Sequence, residues 1–162
     1  MANDRLTRFY GLPAVKRDAF VPVKLSANSE RGGLVGQAGF LKLTSTDFAT
    51  SPIHRGAWIL KNLFKEKIEP PADILINEPD VRGTTSIREA VLKHQELENC
   101  ARCHSKIDPF GFALEFYDPA GRKRSEYRHV EELPVDPDGT TFTKKLKFTM
   151  IPIEAAMKLP DG

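Results

Sequence analysis

The chain has 162 residues, enough for one ordinary domain, or a small domain with a piece of another. With 40% hydrophobic and 28% charged residues it has the balance of a folded globular protein, which excludes a disordered tail. Lys and Arg number 24 against 22 Asp and Glu, so there is no broad basic excess to suggest nucleic acid, and no apolar run reaches the length of a membrane-spanning helix.

The opening "MANDRLTRFYGL" lacks the apolar stretch of a signal peptide. Residues 4–10 predict the end of a helix, with Leu6, Phe9 and Tyr10 on one side. "GLPAVKRDAFVPVKLS", with two prolines and short alternating runs, is a connector. In "ERGGLVGQAGFLKLTS" the glycines 33, 36 and 39 do not follow a phosphate-binding pattern, and close backbone packing is the simpler expectation.

Ser51 can cap a helix whose first turn accommodates Pro52. Ile53, Ala57, Leu60 and Phe64 then recur at helical spacing and predict a face that is most simply core, although it could equally cover a cofactor, with Trp58 near its edge. "KEKIEPPADILINEPDVRG" at 65–83 predicts a proline-rich loop. Ser86 and Glu89 form a capping box for a second helix, with Ile87, Val91, His94 and Leu97 on one face and an end near Asn99. Further on, Asp136-Pro137-Asp138-Gly139 signals a turn. It is not a calcium loop, because Pro134 and Lys145 would occupy the first and last ligand positions. Phe142, Leu146, Phe148 and Met150 alternate with Thr143, Lys145, Lys147 and Thr149, which predicts a strand paired with a neighbour.

The two cysteines of the chain stand together in Cys100-Ala101-Arg102-Cys103-His104. Cys-x-x-Cys-His is the spacing of c-type haem attachment. Each sulfur would form a thioether to a haem vinyl group, and His104 would be the proximal iron ligand. Other chemistries remain open. A structural zinc needs four ligands, commonly two pairs, and here one pair is present with His94 and His129 as the remaining candidates. A redox dithiol expects a strand leading into the motif, whereas a helix is predicted there. A disulfide between the two would close a short loop of little entropic benefit.

If haem binds, the sixth ligand decides the chemistry: methionine suits an electron carrier, histidine a lower-potential one, and an open position oxygen or peroxide chemistry. Candidates are Met150, Met157, His129, His94 and His54. Met150 lies on the predicted apolar strand face, where a core methionine is the commoner role. His94 shares a helical face with Ile87 and Val91 and so is expected to point inward. The Pro109 carbonyl is a candidate acceptor for the second ring nitrogen of His104, because a turn is expected there. Phe110, Phe112, Leu114 and Phe116 could line a porphyrin or the core. Arg122, Lys123, Arg124 and Arg128 could meet haem propionates or an acidic partner, although a solvated loop is the plainer expectation.

"CARCHSKIDPFGFALEFYDPAGR" resembles the haem-motif region of large cytochrome-c-like proteins of planctomycetes and related bacteria. In those proteins Cys-x-x-Cys-His is followed by Ile-Asp-Pro-x-Gly-Phe-Ala-Leu-Glu, here Ile107 to Glu115. "RGGLVGQAGFLKLTSTDFATSPIHRGAWILKNLF" is similar to the start of the same domain, "NDRLTRFYGLP" to the end of the one before it, and "LPDG" to a junction with the next. The resemblance is strongest over 31–124. It implies an exported, haem-bearing protein with one covalent haem c; together with the alternation at 142–150, the expected fold is a mainly α, small c-type cytochrome-like haem domain with a minor β-hairpin or strand element. The expected organisation is a tail and connector at 1–30, the haem-motif domain at 31–128, and a β-containing extension and junction at 129–162.

The expected function is single-electron transfer within a larger exported protein, in the periplasm or an equivalent compartment, with an export signal upstream of this segment. The partner would be a redox protein or adjacent domains of the same chain. The alternatives are a peroxidase-like haem enzyme subdomain with an open distal site, and a zinc-binding structural module.

Overall fold

The structure is a computed structural model that describes residues 1–29, 31–46, 49–66, 68, 86–132 and 146–154. Among these residues it is mainly helical with one small antiparallel sheet. Most of the proline-rich 65–83 stretch, the turn at 136–139, Phe142 and Met157 lie outside the described residues.

Short-range capping chemistry fixes where the helices begin. Helix α1 (Asp4–Tyr10) starts where the Asn3 side chain accepts the N–H of Leu6, and ends at Gly11, whose φ of 62° suits a residue without a Cβ. Helix α2 (Ala38–Leu43) carries Phe40 and Leu41 into the interior. Helix α3 (Pro52–Asn62) starts with the Ser51 hydroxyl accepting the His54 N–H at 3.2 Å, and helix α4 (Ile87–His94) with Ser86 accepting the Glu89 N–H at 3.1 Å. Helix α4 ends at His94 rather than near Asn99, with Gln95 as its C-cap. A new helix, α5 (Glu98–Phe112), contains the whole cysteine motif. The break leaves Leu97 exposed, not on a buried stripe.

Pro109 lies inside α5. Its missing N–H leaves the Ser105 carbonyl without a helical donor, and Ser105 is exposed, so water can serve that carbonyl.

Helices α3 and α5 cross antiparallel at two glycines. A Cβ on Gly56 would run into the carbonyl of Ile107, and one on Gly111 into the carbonyl of Pro52. This contact turns α3 so that Pro52, Arg55, Gly56, Ile59 and Leu60 are buried. Of the expected face only Leu60 is buried, while Ile53 and Ala57 are half-buried and Phe64 is mostly exposed. Among glycines 33, 36 and 39, only Gly36 makes the expected close backbone approach, to Gly32, and Gly33 takes a φ of 62°.

The apolar core gathers Phe40, Leu41, Ile59, Leu114 and Tyr117, with Trp58 edge-on to Phe40 at 4.9 Å. Beside it lies a buried polar cluster. Glu115 accepts from Arg55 at 3.1 Å, Thr50 at 2.7 Å, Arg124 at 3.1 Å and Tyr127 at 3.1 Å. Arg55 also donates to the carbonyls of Leu114 and Tyr117. The guanidinium of Arg31 lies between the rings of Tyr10 and Tyr117, 4.7 and 4.8 Å from their centroids, and fastens α1 to this body.

Strand β1 (Glu126–Glu132) pairs antiparallel with β2 (Leu146–Pro152), with Tyr127 opposite Ile151 and Arg128 opposite Met150. Buried Tyr127 sets the inward face of this hairpin. Phe148 and Met150 consequently point outward at 55% and 54% exposure, and Arg128 lies over the Phe148 ring at 5.2 Å. Met150 is therefore not the core methionine that its alternation suggests.

Candidate functional site

Helix α5 places Cys100 and Cys103 about one turn apart, as free, half-buried thiols. His104 follows directly. Its Nδ1 lies 3.1 Å from each carboxylate oxygen of Asp108, one turn further on. Asp108 is completely buried and also accepts from Gln95 Nε2 at 2.7 Å. A carboxylate can only accept, so Nδ1 is the donor, and in the neutral ring that leaves the lone pair on Nε2. His94, at the end of α4, packs its ring against that of His104, with centroids 4.7 Å apart.

The partner of His104 is thus Asp108, not the Pro109 carbonyl. The chain does not turn at Pro109. The helix continues through it, and the Pro109 carbonyl accepts the Ala113 N–H at 3.2 Å. The missed signal was His104 and Asp108 at i and i+4, the spacing of neighbours on a helix.

Among the described residues, Phe110 and Phe64 offer aromatic surface beside the motif's helix. Cys103 and Phe110 are seven positions apart, two helical turns, and share a face of α5. Phe110 packs against Phe64 at 5.3 Å, and Phe64 is 61% exposed, which leaves an aromatic edge open on that face. The ion pair of Lys106 with Glu66, at 3.0 Å, ties the same segment to α5. Of the other proposed lining residues, Phe112 and Leu114 are buried and Phe116 packs on the core.

The candidates for a second axial ligand are dispersed. His54 is exposed in the first turn of α3, Met150 faces outward from β2, and His129 sits opposite Thr149 in the hairpin. Among the candidates with described side chains, His94 is the one whose ring contacts His104. The basic cluster is divided among separate roles. Arg124 belongs to the Glu115 network, Arg122 pairs with Asp118 at 3.0 Å, and Arg128 covers Phe148.

Among the described residues, no three His, Cys, Asp or Glu side chains are grouped to hold a metal ion. No strand leads into the motif; α4 precedes it. A family model described as PSCyt3, a protein of unknown function (DUF1588), matches residues 31–127. The chain belongs to that family. PSCyt3 is a planctomycete cytochrome-like domain family of unknown function. The match takes in α2, α3, α4 and α5 and so contains both cysteines, His104, Asp108, Arg55 and Glu115. No curated protein and no solved structure matches the chain.

Proposed function

We propose that this is a c-type haem domain that passes single electrons, within a larger exported protein. The observation that carries this reading is the His104–Asp108 contact on the same helix as the two free thiols. It orients one imidazole, keeps its Nε2 available as a ligand, and places it directly after two cysteines at attachment spacing.

The residues suit the group. Each thiol of Cys100 and Cys103 adds across a vinyl double bond, the sulfur to one carbon and its hydrogen to the other, so attachment needs no oxidant. His104 Nε2 supplies the proximal ligand. Phe64 and Phe110 offer an aromatic edge that burial against a flat apolar ring system would cover, at about 25 cal/mol per Å². Bound haem supplies a one-electron iron couple. The partner is a redox protein or an adjacent domain of the same chain, and attachment takes place after export. No helix among the described residues is long and apolar enough to cross a membrane.

The test is expression with an export signal in cells that mature c-type cytochromes, followed by a haem stain on a denaturing gel and a pyridine haemochrome spectrum. Haem that survives denaturation in the wild type and is lost from Cys100→Ala/Cys103→Ala supports the assignment. No covalent haem, beside a matured reference cytochrome, refutes it. A reduced spectrum unchanged by carbon monoxide supports electron transfer, whereas carbon monoxide binding moves the function to an open-site haem oxidoreductase.

A further inference from the structure

The pairing of His104 with a buried carboxylate has a consequence for the electron affinity of the site. Asp108 has no exposed surface, and His104 Nδ1 donates to it at 3.1 Å. Gln95, from the cap of α4, holds the second carboxylate oxygen at 2.7 Å. The carboxylate is thus fixed from two elements, and among the described residues it is met by an amide and an imidazole N–H rather than by an arginine or lysine. A charge in a low-dielectric interior acts more strongly on its neighbour than one in water. An imidazole that donates to such a group becomes a more basic ligand.

We propose that Asp108 is a positioning residue that tunes the haem iron toward low potential through His104, and that Gln95 moderates the effect by sharing the carboxylate's charge. This rests on the haem assignment above. The carboxylate raises the electron density delivered by Nε2 and so favours the oxidised iron. The Gln95 amide draws part of the carboxylate's hydrogen-bonding capacity away from Nδ1. The two residues therefore act in opposite directions, a pattern that a purely structural role would not produce.

The experiment is a redox titration of the purified haem-loaded protein, wild type against Asp108→Asn and Gln95→Ala, with covalent haem content and thermal midpoint measured alongside. Asn keeps the size of Asp and an acceptor oxygen for Nδ1 but removes the charge. Asp108→Asn is expected to raise the reduction equilibrium constant on the order of tenfold, about 59 mV for a one-electron couple. Gln95→Ala is expected to lower the potential. Potentials unchanged in both variants, or moved in the same direction, overturn the proposal while the covalent haem still upholds the function. Where Asp108→Asn does not accumulate, Gln95→Ala decides alone: a fall supports the proposal and an unchanged or raised potential overturns it. A wild type without covalent haem overturns both.

Discussion

Arg55 and Glu115 lie sixty positions apart in the chain, and neither exposes any of its side chain. Burial lowers the pKa of Arg55, and Glu115 opposes that shift. Among the described residues Arg55 Nε finds no acceptor. Glu115 is, among the described residues, the only anion in direct contact with this guanidinium, so Glu115→Gln removes its paired charge. That substitution is expected to destabilise by about 3–5 kcal/mol in urea unfolding. Tyr127 donates to the same carboxylate, and its pKa is raised above the ordinary 10.0, first by burial and then by the charge of Glu115. Because the folded value is raised, the neutral phenol contributes stability fully below pH 10, and that contribution is lost as pH climbs from there toward the folded value. Tyr127→Phe should lower stability by about 1–2 kcal/mol at pH 7, with the gap to wild type narrowing above pH 10 in parallel denaturant titrations. Ser51 and Ser86 were legible as caps because their partners lie three residues away. Arg55 and Glu115 were not, because nothing local distinguishes a charged residue that will meet its partner sixty positions later from one that will face water.

At the scale of elements, the α3–α5 crossing shows the same division. The expected stripe of Ile53, Ala57, Leu60 and Phe64 follows hydrophobicity alone. The observed face follows backbone proximity at Gly56 and Gly111 and the inward charge of Arg55. Gly56→Ala and Gly111→Ala must push the helices apart and are each expected to destabilise by about 1–3 kcal/mol or more. Gly39→Ala, in α2 with nothing within 4 Å of the added carbon, should be neutral or stabilise by up to about 1 kcal/mol. Thermal melts of the three variants check the contrast. The hairpin repeats the lesson. Alternation correctly placed a strand at β2 and misplaced its buried face, because Tyr127 on the partner strand, not the apolarity of Phe148 and Met150, decides which side meets the body.

At the scale of the molecule, α4 and α5 bring three features of different origin to one place: the cysteine pair, the buried Asp108, and Gln95 from the cap between the helices. The cysteines and His104 were legible from spacing, and the resemblance to planctomycete cytochrome-like proteins agrees with the PSCyt3 match. Asp108 was hidden by the expectation of a turn at Pro109. Phe64 was placed on a face that is core or covers a cofactor, and its exposure beside Phe110 emerges only from how α3 is rotated. The measurement that tests the central claim most directly is the intact mass of the denatured protein after export and cytochrome maturation. A mass increased by one haem in the wild type, and by none in Cys100→Ala/Cys103→Ala, is the predicted result. An unmodified wild-type mass, from cells that fully mature a reference cytochrome, would contradict it.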